Sequence, residues 1–262
     1  QLPSINPGNL LSDLLQIPSI KRSELSHIYR TKENSFINQF AKDIKNKITK
    51  ENYQNYSDFS FIECDEINIK KIVKDISLRA IDKGINKESF QVLAPMYKGE
   101  NGIESLNSIM QSIFNPSSEE KKEITIRGTI YREGDKVIQL VNDVDNNIYN
   151  GDIGLIDKII NGTKPIMMVN YNGIKVKYDK KKFEEITHAF AISIHKSQGS
   201  EYENVIMVIS KSFNRMLYNK LIYTGITRAK KRLVIIGNKE YLNKGIKTEY
   251  AENRKTLFTK LF

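Results

Sequence analysis

Two polar segments near the end of the chain hold the residues best suited to chemistry. The first, Ser193-Ile194-His195-Lys196-Ser197-Gln198-Gly199-Ser200-Glu201, offers hydroxyl, imidazole, ammonium, amide and carboxylate groups in close succession. The second, Tyr223-Thr224-Gly225-Ile226-Thr227-Arg228-Ala229-Lys230, places one arginine ahead of a basic run. A Val/Ile-rich strand-like run lies between them and another follows, ending at Gly237. Such an arrangement holds charged side chains at sheet edges, where they meet phosphates. The planar fork of an arginine binds two phosphate oxygens at once. Hydroxyl, imidazole and ammonium donors grip a phosphate backbone, an acid such as Glu201 accepts hydrogen bonds from hydroxyls, and Gly199 lets the backbone approach a ligand closely. No Ser/His/Asp arrangement or supported carboxylate pair offers hydrolysis of another kind. The sequence also has no Gly-x-x-x-x-Gly-Lys-Ser/Thr loop to hold the β- and γ-phosphates, so the chain alone is expected not to hydrolyse ATP.

The elements that must position these residues follow from periodicity. Residues 34–47 have helical spacing, with Phe36, Ile37, Phe40, Ala41 and Ile44 on one face and Asn34 available as N-cap. Residues 19–30 read as a strand running into a loop, 59–62 as a short strand, 66–82 as a second amphipathic helix and 90–95 as a buried strand. The turn Lys98-Gly99-Glu100-Asn101-Gly102 opens a helix over 103–114 that Asn115-Pro116 stops. The start of that helix presents a positive dipole end to a backbone phosphate, which makes Gly102 a candidate DNA contact; the same glycines equally describe a plain entry turn. Strands alternating with helices imply a parallel α/β layer. From Tyr131 the period shortens. Runs at 135–141, 152–160, 165–171 and 174–178, with Asn-Gly pairs at Asn150, Asn161 and Asn172, predict a small β-barrel inserted in the α/β lobe.

Composition narrows the class. With 262 residues, 39% hydrophobic and 27% charged, the chain has the balance of a globular protein of one large or two small domains. No apolar run approaches the roughly 18 residues that span a bilayer and no leader opens the chain, so a cytoplasmic location without membrane partners is expected. The single cysteine, Cys64, has no disulfide partner and no neighbouring ligands, so it reads as a small buried apolar residue and no metal site is expected. The net charge of +10 is concentrated in residues 188–262, where fourteen Lys and Arg face five Asp and Glu. A basic lobe attracts a polyanion through counterion release, although a Lys- and Asn-rich composition also produces solvated positive surfaces.

The stretch 188–237 resembles motifs V and VI of superfamily 1 helicases, most closely the RecD-like branch, with 193–201 and 223–230 in the family's order. The opening Gln1-Leu2-Pro3-Ser4-Ile5-Asn6-Pro7-Gly8 resembles the tail of motif III, which implies a preceding lobe that carries the nucleotide-binding motifs. Gly134-Asp135-Lys136-Val137 and Asn150-Gly151-Asp152-Ile153-Gly154 resemble the Src-homology-3-like barrel that such helicases carry between motifs IV and V. The implied fold is an α/β, RecA-like parallel-sheet lobe with that small barrel inserted. It would comprise the end of the first motor lobe and connector (1–24), the second lobe (25–127), the barrel (128–187) and the rest of the second lobe (188–262).

By the same resemblance the intact enzyme is an ATP-dependent 5′-to-3′ DNA helicase, with ATP and Mg²⁺ held mainly by the other lobe. Arg228 is implied as the arginine finger, and Arg30, in Ile28-Tyr29-Arg30, as a second arginine on the γ-phosphate. Gln1 would link that phosphate to the DNA path. Gly199 and Glu201 fall near the nucleotide, and Ser193, His195, Lys196 and Ser197 on single-stranded DNA. Two positions depart from the pattern: Ser193 where family members usually have Thr, and Gly225 where Ala is frequent, a glycine expected to loosen its helix by about 1 kcal/mol. The motor reading requires Arg30 and Arg228 to emerge on one exposed edge, and their enclosure in the interior would remove it. The rival readings are a non-catalytic single-stranded nucleic-acid-binding module and a helicase subunit of a recombination nuclease complex or a conjugation protein.

Overall fold

A computed structural model describes residue 2 and residues 10–23 and 35–249. A short helix, α1 (Leu10–Leu15), is followed by a turn closed by the Ile20 N–H on the Ile17 carbonyl, so the described part of the expected 19–30 strand is a turn. The next helix, α2 (Phe36–Lys45), buries the five apolar residues that its spacing predicts. Its N-cap is Ser35, whose Oγ accepts the Asn38 N–H at 3.4 Å; Asn34 lies outside the described residues. In chain order follow β1 (Phe59–Glu63), α3 (Ile69–Asp82), β2 (Phe90–Ala94) and α4 (Ile103–Phe114). The barrel strands come next: β3 (Glu123–Ile126), β4 (Thr129–Arg132), β5 (Lys136–Gln139), β6 (Ile153–Ile160), β7 (Ile166–Tyr171), β8 (Ile174–Asp179) and β9 (Ile186–His188). The chain then returns through β10 (Ala191–Ser193), β11 (Tyr202–Ile209), α5 (Asn219–Ile226), β12 (Ala229–Gly237) and α6 (Lys239–Lys247).

The lobe sheet has the order β1-β12-β11-β2-β10, and every pairing is parallel. All carboxyl ends therefore lie along one edge and all amino ends along the other. The strands are apolar runs because helices cover both faces, α3 packing with α4 and α2 with α5, which also contacts α6. Strand β12 ends at Gly237, where φ is +136° and a Cβ would stand 1.7 Å from the Ile209 carbonyl oxygen. Only glycine fits there.

The second core belongs to the barrel. Its sheet has the order β8-β7-β6-β5-β9, all antiparallel, and buries Val137, Ile156, Val169 and Tyr178. The β3–β4 hairpin packs Tyr131, Ile124 and Ile126 against the same core, so the β structure begins at Glu123 rather than near Gly128. Its turn places Arg127 at φ +50° and Gly128 at φ +82°, the left-handed pair of a tight hairpin made without the usual Asn-Gly.

Strand β5 joins the two cores. Alternation sends Val137 into the barrel and Lys136 and Ile138 toward the lobe. Asp135, fully buried, accepts from Gln111 Nε2 of α4 at 2.6 Å, from Asn115 Nδ2 at the C-cap of α4 at 2.7 Å, and from the Arg132 N–H at 2.7 Å; His188 Nε2 lies 3.0 Å away. Lys136 is buried too, and its Nζ donates to the carbonyls of Lys87 and Phe90 and to Gln91 Oε1, each at 3.0 Å. None of these acceptors is charged. Burial, only partly offset by the charge of Glu88 and aided by that of Lys87, pushes the ammonium from 10.5 down to about 7.

The sign of the resulting pH dependence is fixed. Between about pH 7 and pH 10.5 the unfolded chain holds a proton that the folded chain has lost, so stability rises with pH across that window and is flat below it. Lys136→Met is expected to abolish the rise and to be more stable than the parent at acidic pH. Urea midpoints for both proteins at about pH 6 and about pH 9 check this.

Candidate functional site

The first polar segment leaves the carboxyl end of β10 and enters the amino end of β11 through one stretch of turns, so it crosses the sheet from edge to edge. Its starting point is held firmly. Strand β10 lies at the margin of the sheet, and Asn107 of α4 covers the free backbone of Ala191, accepting its N–H at 2.8 Å and donating to its carbonyl at 2.9 Å. Gln91 Nε2 donates to the carbonyls of Ala189 and Phe190, both at 3.0 Å. Beyond Ser193 the turn closes on itself. Ser193 Oγ accepts the Lys196 N–H at 3.2 Å, the Ser197 N–H reaches the Ser193 carbonyl at 3.1 Å, and Ser197 Oγ donates to the Ile194 carbonyl at 2.7 Å.

These bonds correct part of the expected DNA surface. Ser197 is fully buried and Ser193 is 5% exposed, so both hydroxyls shape the turn instead of facing a strand of DNA. Sequence alone does not separate a phosphate donor from a turn-forming hydroxyl, because Ser serves both. His195 and Lys196 are half-buried on the same turn, and burial pushes both pKa values down. Lys196 Nζ lies 3.3 Å from Asn150 Oδ1, which brings the β5–β6 loop of the barrel beside this turn. Gly199 adopts φ +84° in an exposed turn, with nothing within 4 Å of an added Cβ, so its backbone conformation is what calls for glycine.

Gly102 is corrected as well. Its N–H donates to the Gly99 carbonyl, and those of Ile103 and Glu104 to Met96 and Tyr97. The first amides of α4 are consumed by the preceding loop, and Gly102 is needed because a Cβ would lie 2.5 Å from the carbonyls of Tyr97 and Lys98. The entry-turn alternative describes it.

The second segment forms α5 and its exit. Thr227 caps α5, and Arg228 stands at the amino edge of the sheet, immediately before β12. Its carbonyl accepts the Tyr202 N–H at 2.9 Å at the start of β11. Nη1 donates to the Ser200 carbonyl at 2.8 Å, Nε to the Thr224 carbonyl at 3.1 Å and Nη2 to Thr227 Oγ1 at 3.2 Å. The side chain thus spans the two polar segments. Arg228 is 4% exposed, which departs from the exposed edge that the sequence reading required. Arg30 and Gln1 lie outside the described residues. Leu2, next to Gln1, is buried, and its carbonyl accepts Gln198 Nε2 at 3.4 Å.

Glu201 also lies at the amino edge and pairs with Lys230 at 2.9 Å. Gly225 does not loosen α5: a Cβ would meet Met207 Sδ at 2.9 Å, so the glycine brings the helix down onto β11. Cys64 is half-buried, and burial pushes its thiol up. Among the described residues no group of three His, Cys, Asp or Glu side chains is placed to hold a metal ion, and no helix is long and apolar enough to cross a membrane. Sequence reasoning missed the partners Ser200 and Thr227, and the Asp135–Lys136 joint. The clue to the joint was an Asp-Lys pair opening an otherwise apolar strand.

Comparison with known proteins bears on the whole arrangement. The family described as ATP-dependent RecD-like DNA helicase SH3 domain matches residues 106–171, and the UvrD-like helicase C-terminal domain matches residues 188–236. The ATP-dependent RecD2 DNA helicase of Deinococcus radiodurans is 29% identical over 243 residues, which cover 91% of this chain and 31% of that protein. The RecBCD enzyme subunit RecD of Buchnera aphidicola subsp. Acyrthosiphon pisum is 29% identical over 248 residues, 92% of this chain and 37% of that protein. The chain therefore spans about a third of the length of these relatives. In fold it is similar to a Pif1 helicase from Bacteroides crystallised with ADP-AlF3 and single-stranded DNA, with a TM-score of 0.53 and 19% identity over 87% of this chain and 54% of that one. In sequence the chain is similar to RecD-like DNA helicases, with a segment matching their SH3 domain followed by one matching the UvrD-like helicase C-terminal domain, and its fold is similar to that of a Pif1 helicase.

Proposed function

We propose that this chain is the C-terminal motor lobe of an ATP-dependent 5′-to-3′ DNA helicase or translocase, and that Arg228 carries positive charge to the γ-phosphate of ATP bound against a partner lobe. The observation that carries this reading is the bond from Arg228 Nη1 to the Ser200 carbonyl, which ties the end of one polar segment to the end of the other. A nucleotide at the amino edges of β11 and β12 competes for that guanidinium. Arg228 must then leave Ser200, and the turn from Ser193 to Ser200 is released at the end opposite His195 and Lys196. Nucleotide binding thereby moves the surface that holds the DNA, a ligand-driven shift between two arrangements. In this reading ATP and Mg²⁺ are held mainly by the partner lobe, because the sequence has no Gly-x-x-x-x-Gly-Lys-Ser/Thr loop.

The burial of Arg228 is what the sequence reading set against a motor role, so the first reading requires nucleotide to release the guanidinium; burial favours a second reading, in which the side chain is a permanent staple between the two segments and never meets a phosphate. Measurements on Arg228 variants separate the two. The DNA side has its own test in the intact protein. Lys196→Ala is expected to weaken single-stranded DNA binding several-fold and to lower the salt slope of binding by roughly 0.7, the value for one phosphate contact on a single strand. An unchanged slope would remove Lys196 from the DNA path. ATP turnover that does not respond to single-stranded DNA in the intact protein would contradict the motor reading and leave the binding-module alternative.

A further inference from the structure

A cleft of about 340 Å³ opens between α3 and the β1–β12 side of the lobe sheet, and neither Arg228 nor any residue of the motif V turn lines it. Its floor is aliphatic, formed by Ile62, Ile76 and Val234, and Arg79, Lys83 and Arg232 stand around it. All three cations are exposed. No carboxylate lines the cleft, and among the described residues none of the three has an ion-pair partner; Arg232 reaches only the Ser57 carbonyl, at 3.5 Å. The helix dipole accounts for Arg79 in the last turn of α3 and Lys83 at its C-cap. It does not account for Arg232, which comes from strand β12.

We propose that this cleft is a docking site for an acidic protein segment that carries aliphatic or aromatic side chains. Charge complementarity supplies the first half of the match: carboxylates answer three cations that nothing in the cleft neutralises. The floor supplies the second, because branched apolar side chains bury against Ile62, Ile76 and Val234. Nucleic acid fits less well, since single strands stack successive bases on aromatic platforms. The aromatic ring at the rim, Tyr56, already stacks one face on Phe36 at 3.9 Å and 11°. Strand addition is also obstructed, although β1 is a margin strand. The Phe59 carbonyl accepts the Tyr56 N–H at 2.7 Å, and the Phe61 N–H is covered by Asn55 Oδ1 at 3.3 Å. The partner therefore engages the cleft through its side chains.

The test is fluorescence anisotropy on the full chain with a labelled Glu-Asp-Leu-Asp-Glu-Leu-Phe-Asp peptide. Saturable binding is expected, weakened about tenfold or more by the double charge reversal Arg79→Glu with Arg232→Glu, and by a peptide in which Ser replaces the Leu and Phe residues. Both substitutions are at exposed positions, so an unchanged melting temperature should accompany the loss. Absence of peptide binding, or equal binding by the double variant, overturns the proposal. So does an oligo-dT strand that displaces the peptide and loses the same affinity in the double variant, an outcome that assigns the cleft to nucleic acid. None of these outcomes depends on ATP turnover.

Discussion

Replacing Arg228 with alanine in the intact protein is expected to lower ATP turnover by about a thousandfold or more, with single-stranded DNA binding changed only a few-fold. The magnitude is that of an arginine which neutralises charge as a phosphoryl group loosens from its leaving group. The Arg228 backbone opens β12 beside the start of β11, and its fork rests on carbonyl and hydroxyl oxygens that a phosphate would outbid as acceptors. A staple makes a different prediction. Loss of the bonds to Ser200, Thr224 and Thr227 would lower the melting temperature, and turnover measured well below it would survive. Arg228→Lys sharpens the contrast, because lysine keeps the charge and loses the two-pronged geometry. A finger then recovers little turnover, whereas a staple recovers in proportion to stability.

The second large effect concerns stability. Asp135→Ala is expected to lower the unfolding free energy by about 3–5 kcal/mol, the scale for removing one partner of a buried charged network. The fully buried carboxylate accepts from the side chains of Gln111 in α4 and Asn115 at its C-cap and from one backbone amide, with His188 beside it. Each of those donors would lose an acceptor, Gln111 Nε2 and Asn115 Nδ2 keeping the carbonyls of Ile130 and Glu133. Because His188 ends β9 and β10 begins three residues later, the damage reaches the origin of the motif V turn. Urea unfolding should show the loss, and Asp135→Asn, which keeps one acceptor oxygen, should show a smaller one.

Much of the architecture was legible in the sequence for identifiable reasons. The strands at 59–62 and 90–95, the helices at 66–82 and 103–114 and the barrel strands after residue 135 are each set by local periodicity and Asn-Gly turns, and the structure places them nearly where expected. The β3–β4 hairpin escaped because Arg127-Gly128 adopts a turn that Asn-Gly usually announces. At the site, residue types were informative and orientations were not. Ser193, His195, Lys196 and Ser197 carry equally plausible donors in sequence, and only the closure of the turn shows which two hydroxyls face inward. The amides ahead of Ile103 looked available for a phosphate because the carbonyls that take them belong to a loop whose path no periodicity specifies. Gly225 reads as a weak point in a helix until Met207 is seen beneath it.

As an arginine finger, the Arg228 guanidinium is expected to serve two acceptors in turn: the Ser200 carbonyl without nucleotide and the γ-phosphate with it. A crystal structure of the intact protein with ADP, aluminium fluoride and single-stranded DNA tests it most directly. Arg228 is expected within hydrogen-bond reach of the fluoride ligands and parted from Ser200; a guanidinium still on Ser200, with the fluoride contacted by other residues alone, would show that Arg228 is a staple and not a finger.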